Sequence, residues 1–149
     1  EALFRRSMYT FWKRAAPPAL MDILNAPSRE VCSVRRERTN TPIQALATLN
    51  NPEFIACATW AASRALEAAS GERDQALGHL GWQILCRPLK PEETKVLSDL
   101  ADEATSYYEA NLEEAERLVG TGASGVLENV AALTLIANQL LNLDETLTK

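Results

Sequence analysis

Along most of this chain apolar residues recur at three- and four-residue spacing, the period of a helix that buries one face. At the start, Phe4, Met8, Phe11, Trp12 and Ala15 predict a helix ended by Pro17 and Pro18. The pattern then lapses over residues 17–40, where prolines, the turn formers between Asp22 and Ser28, and the alternating Glu30-Val31-Cys32-Ser33-Val34-Arg35 predict an irregular, partly extended segment. A stretch this long without a regular element is expected to be packed on something or to be functional.

Beyond residue 40 the signals sharpen. Thr41-Pro42-Ile43-Gln44 combines a capping hydroxyl, proline at the first helical position and glutamine at N3, which predicts a short helix from Pro42. Asn51-Pro52 repeats the device and starts a helix running toward Ser70, stopped by Gly71, with Phe54 or Ile55, Ala58, Ala62, Ala65, Leu66 and Ala69 inward. A third helix covers residues 72–87, with Ala76, Leu77, Leu80, Ile84 and Leu85 inward and Pro88 ending it. Pro91-Glu92-Glu93 opens a long helix to about Val119, its inward positions Leu97, Leu100, Ala101, Ala104, Tyr107 or Tyr108, Leu112, Ala115 and Leu118. After the glycine-rich residues 120–125, a last helix runs from about Val126 to Asn142 on Leu127, Val130, Leu133, Ala137, Leu140 and Leu141.

These elements predict an all-α fold: a compact multi-helix bundle of four to six helices with an irregular, partly extended N-terminal segment, in one domain over residues 1–149. Composition agrees, because 23 alanines and 21 leucines outweigh 6 valines and 5 isoleucines, an excess of helix formers over β-branched residues. So many alanines on helix faces imply close helix–helix approach.

Charge changes the picture only locally. The net charge is −5, yet residues 1–40 hold eight basic and four acidic groups, +4, which leaves −9 on the other 109 residues. A domain-wide basic excess interleaved with aromatics is missing, so no nucleic-acid partner is expected. The longest apolar run, Ala131 to Ala137, is far shorter than the roughly 18 residues of a membrane span. The opening Glu1-Ala2-Leu3-Phe4, without a Met or a cleavage site, is expected of a piece excised from a larger protein.

The densest polar cluster is Arg35, Arg36 and Arg38 followed by Asn40. Planar guanidinium forks beside the Pro42 helix start are suited to a sulfate, carboxylate or phosphate. The structural alternative, which we favour, pairs them with Glu30, Glu37 or Asp22, with Arg36 or Arg38 as a buried member. His79 has no second histidine or orienting carboxylate, and Glu109, Glu113, Glu114 and Glu116 lack the glycine-bearing loop of a calcium site, so both read as ordinary side chains. Cys32, Cys57 and Cys86 fit neither a disulfide framework nor a zinc site, although one bridge is open to them. Trp12, Trp60, Trp82, Tyr9, Tyr107 and Tyr108 read as packing residues, with stacking on sugar rings as the alternative. No nucleophile triad, phosphate loop or acid/base pair is visible, and Cys-x-x-Cys-His is absent. The chain is therefore expected to be non-catalytic, with no catalytic, cofactor-binding or metal residues.

Several stretches carry a family resemblance: Arg5 to Arg14, Ala26-Pro27-Ser28-Arg29-Glu30-Val31-Cys32, the run Arg35-Arg36-Glu37-Arg38-Thr39-Asn40-Thr41-Pro42-Ile43-Gln44-Ala45-Leu46, Leu49 to Phe54, the turn Ile84 to Glu93, and the ending Leu140 to Glu145. In these the chain resembles the planctomycete-specific C-terminal domain of unknown function that closes large multidomain proteins. It departs at Cys86, where relatives tend to have glycine, and at Asn51, where aspartate is usual. The resemblance implies an extracytoplasmic (periplasmic or secreted) parent that often carries a cytochrome c domain, so that any haem lies elsewhere in the parent and none in this chain. It assigns no reaction. The expected role is a helical packing and interaction module whose partner is the preceding domain of the same polypeptide. The alternatives are part of an enzyme acting on anionic (sulfated or carboxylated) polysaccharide held by Arg35, Arg36, Arg38 and Asn40, and a carbohydrate-binding module. A packing module is expected to bury most of its arginines and tryptophans.

Overall fold

The computed structural model describes residues 9–13, 15–35, 39–120 and 125–147, and among them every regular element is helical. The chain divides into two units, residues 1–47 and 48–149.

The first unit departs most from the pattern. Tyr9 is 3₁₀-helical, residues 10–13 are not helical, and Lys13 forms an isolated bridge with Ala16; residues 1–8 and 14 of the predicted first helix lie outside the described residues. Pro17 and Pro18 precede a helix instead of ending one: α1 spans Ala19–Ile23, within the stretch predicted to be irregular. Proline lacks the N–H that a first helical turn leaves unpaired, so it suits either role. No residue of α1 is buried, and residues 30–35 form bends, not a strand. A buried side chain on α2 (Pro42–Asn50) ties this segment together. Buried Gln44 donates from Nε2 to the Ile23 carbonyl and to Thr39 Oγ1, both at 2.8 Å, while its Oε1 accepts the Thr41 N–H at 2.9 Å. Thr41 Oγ1 in turn accepts the Gln44 N–H at 3.3 Å, which completes the predicted capping box.

The second unit is a helical bundle. Asn51 caps α3 (Pro52–Ala68) by accepting the Glu53 N–H at 2.8 Å. The helix ends in left-handed Ser70 and Gly71, whose N–H groups reach back to the Glu67 and Leu66 carbonyls. The predicted third helix is α4 (Arg73–Leu80), continued by a π-helical turn over Gly81–Leu85. α5 (Pro91–Ala110) and α6 (Leu112–Val119) replace the single long helix expected. Asn111 breaks it with φ −132° and ψ 60°, and its Nδ2 donates to the Tyr107 carbonyl at 2.8 Å. α7 (Leu127–Leu141) and the unpredicted α8 (Asp144–Leu147) complete the unit.

α3, α5 and α6 all pack on α7. Burial accordingly runs around α7, with Val130 to Thr134 and Ile136 to Asn138 all inside, as expected of a central helix. The inward alanines Ala58, Ala61, Ala62 and Ala65 let α3 approach it closely. Thr48 at the end of α2 donates to Asn142 Oδ1, and Asn138 Nδ2 donates to the Leu49 carbonyl at 3.1 Å, which satisfies polar groups on the bundle's inner side.

Candidate functional site

The most developed polar constellation grows from the end of the π-turn. Widening the helix over residues 81–85 carries the backbone into Cys86, which adopts a left-handed conformation at φ 57°. Gly81 makes this return feasible: a Cβ there would lie 2.7 Å from Leu89 Cγ and 3.5 Å from the Arg87 carbonyl oxygen. The connector thus folds against the helix it has just left and presents Arg87.

Arg87 ties three elements together. Its Nη1 and Nη2 donate to Glu93 Oε2 and Oε1 at 2.8 and 2.9 Å, a bidentate fork onto the first turn of α5. Nη2 and Nε also reach Glu145 Oε1 and Oε2 on α8 at 2.7 and 3.3 Å, and Nη1 donates to the Pro88 carbonyl at 3.0 Å. Glu93 Oε2 further accepts the Lys90 N–H at 2.9 Å and so caps α5. The Arg87 hydrogen bonds, helped by that cap, hold the Glu93 carboxyl down at about 2, and the two carboxylates raise Arg87 above its ordinary value. All three side chains are partly exposed, so water screens the cluster, and its role is geometric more than energetic.

Against this cluster lies an apolar groove of about 380 Å³. Leu85 and Leu140 are its buried members, Leu89 and Leu97 are half-buried, and Val96 and Leu143 are exposed. Glu92, Glu93 and Gln139 complete the lining. The sequence marked Glu93 as a first-turn carboxylate and gave Arg87 and Glu145 no role. The signal for Arg87 was the proline-bearing turn Arg87-Pro88-Leu89-Lys90-Pro91; Glu145 is 58 residues further on, and only the packing of α8 brings it there.

The residues singled out in the sequence are not brought into this site. Arg35 is exposed, with Ser33 Oγ donating to its carbonyl at 3.4 Å, and Asn40 is exposed; Arg36 and Arg38 lie outside the described residues. His79 is exposed. Cys32, Cys57 and Cys86 are exposed free thiols, so the bridge left open to them is not formed. Glu109, Glu113, Glu114 and Glu116 are exposed; Glu114 accepts a hydrogen bond from the Tyr107 hydroxyl at 2.5 Å, which raises the Tyr107 pKa. No group of three or more His, Cys, Asp or Glu among the described residues is placed to hold a metal ion, and no described helix is long and apolar enough to cross a membrane.

The aromatics differ from the packing role read for them. Trp60 is 64% and Trp82 59% exposed, Tyr9 and Tyr107 are also exposed, Trp12 is half-buried and Tyr108 alone is buried. Arg29 lies over Trp12 at 5.6 Å and Arg64 over Trp60 at 5.9 Å. Among the described residues, the burial of tryptophan and arginine expected of a packing module is therefore not achieved within this chain.

Fold and site together define a helical module whose most developed feature is an apolar groove beside an internally paired Arg–Glu–Glu cluster. The chain matches PSD1, a protein family of unknown function (DUF1553), over residues 1–101, and belongs to that family. The matched stretch ends within α5, so Arg87 and Glu93 fall inside it, whereas α7 and Glu145 lie beyond. No curated protein and no solved structure matches the chain.

Proposed function

We propose that this chain is a non-catalytic packing and interaction module of an exported multidomain protein, and that its partner is the preceding domain of the same polypeptide. The observation that carries the reading is the apolar groove: Val96 is 65% and Leu143 41% exposed beside it, and the charged groups nearest it on the connector and α8 are bound to one another. Large apolar side chains gathered in one concave patch are the mark of an interaction site. An Arg87 saturated by two carboxylates is poorly placed to act on a substrate. The exported, planctomycete-type, haem-containing setting rests on the sequence resemblance, which leaves any haem to another domain of the parent.

Unfolding in urea tests the reading, with the chain measured alone and within its parent. The expected result is one shared transition in the parent, at a midpoint above that of the isolated chain. Independent transitions, with this chain's midpoint unchanged, would refute the module.

A carbohydrate-binding role is the second reading, favoured by the exposure of Trp60 and Trp82. It predicts quenching of tryptophan fluorescence by oligosaccharides, lost in Trp82→Ala. Unchanged fluorescence across neutral, sulfated and carboxylated oligosaccharides would dispose of it.

A further inference from the structure

The groove continues along a helix face that the bundle leaves uncovered. On α5, Leu97, Ala101, Ala104 and Tyr108 turn inward at spacings of four, three and four, and Ala101, Ala104 and Tyr108 are buried. Shifted by one residue, Val96, Leu100, Glu103 and Tyr107 repeat the same spacing and form an adjacent stripe. That second stripe is exposed: Val96 by 65%, Leu100 by 36% and Tyr107 by 50%. α5 is therefore apolar over a wider arc than its packing on α7 requires. From Val96 to Tyr107 the stripe runs for about 16 Å, three helical turns, and Val96 also lines the groove.

Charge on α5 identifies what fits there. The helix carries six carboxylates, Glu92, Glu93, Asp99, Asp102, Glu103 and Glu109, against one cation, Lys95. Glu93 and Asp102 are paired, with Arg87 and Arg73, whereas Glu92 and Asp99 beside the stripe, and Glu103 within it, form no ion pair among the described residues. An apolar strip edged by unpaired acids complements an apolar strip edged by bases. The same charge opposes a second copy of this face packing on itself, because a two-fold contact would set acid against acid.

We propose that the groove and the outer stripe of α5 receive a basic amphipathic helix of another polypeptide segment, with Leu- or Phe-sized anchors at helical spacing and Lys or Arg at its flanks. The assignment rests on the module reading above, since it names the face and the partner's chemistry. Anchors at i and i+4 would enter beside Leu89 and Leu143 and along Val96 and Leu100. Flanking cations would face Glu92, Asp99 and Glu103.

Two stapled peptides of about 15 residues, long enough for a few helical turns, provide the test. They share one pattern of Leu anchors; one carries Lys at the flanks and the other Glu. Calorimetry with the intact chain should show the Lys peptide binding at least about tenfold more tightly. Val96→Glu should weaken it by a similar factor, Glu92→Lys with Glu103→Lys should reverse the preference, and Trp60→Ser on α3 should change nothing. Helical circular dichroism retained in each variant keeps the comparison fair. Equal binding of both peptides, binding of neither, an unaffected Val96→Glu, or a chain dimer that Val96→Glu dissociates would each overturn the proposal. If the shared unfolding transition in the parent survives such a failure, the module reading stands and only the face or the partner's chemistry is wrong. Independent unfolding brings down both.

Discussion

Cys86 occupies a left-handed backbone conformation in which a β-carbon crowds the following carbonyl, at a cost of about 1 kcal/mol. The sequence flagged the same position as one where similar proteins tend to have glycine, and the turn explains that preference. Cys86→Gly should therefore be neutral or stabilise by up to about 1 kcal/mol, since relief of crowding is partly offset by a freer unfolded chain; a urea midpoint lowered by the substitution would contradict it. At the start of α2, Thr41→Ala removes the acceptor for the Gln44 N–H and should cost about 1 kcal/mol. An unchanged midpoint would show that the cap is not used. Arg87→Ala makes a prediction about pH. The folded-state Glu93 carboxyl sits at about 2, below its unfolded value of 4.5, so its contribution is present above about pH 4.5 and is lost as pH falls toward 2. In the variant Glu93 loses its main partner and keeps the neighbouring Glu145. The stability gap between the native chain and Arg87→Ala should therefore be widest near neutral pH and narrow on acidification; a gap constant from pH 7 to 2 would mean that the pair is not formed in solution.

Among the elements, capping chemistry is what the sequence states most directly. Pro42, Pro52 and Pro91 each begin a helix, and Arg73 and Leu127 begin theirs one residue after the predicted starts. Interruptions inside helices are less legible. Gly78 and Gly81 weaken helix propensity near the π-turn at Gly81–Leu85, yet the helical period continues through it on Leu80, Ile84 and Leu85. Its cause is tertiary: Leu89 needs the space that Gly81 leaves. Gly81→Ala should accordingly destabilise by about 1–3 kcal/mol through overpacking. Leu89→Ala in the same chain should recover part of that loss, because the clashing Leu89 Cγ is removed, so the two changes should be clearly non-additive. Additive effects would show that the contact does not set the turn. The break at Asn111 has the same character. Leu112 keeps the helical spacing and so predicts a buried face, yet it is 51% exposed because the chain is redirected one residue earlier.

For the molecule as a whole, burial predicts how stability is distributed. α7 is enclosed by α3, α5 and α6, whereas α1 has no buried residue, so amide exchange should be slowest from Val130 to Ala137 and fast across Ala19–Ile23. Equal protection of the two would refute this ranking. Helix content, most helix starts and most inward positions follow from the sequence alone, because caps, prolines and a 3.6-residue period act within a few neighbouring residues. Ala58, Ala62, Leu77, Leu80, Val130 and Leu133 are buried where the period places them. Tertiary structure decided what depends on distant partners. It selected Tyr108 over Tyr107 for burial, left Trp60 and Trp82 in solvent, and brought Glu145 to Arg87 across 58 residues. The groove belongs to this second group, since its lining comes from three separate stretches, Leu85 to Leu97, Gln139-Leu140 and Leu143. Local periodicity records which side chains of a helix are apolar; which of those a neighbour covers is settled only when the helices meet.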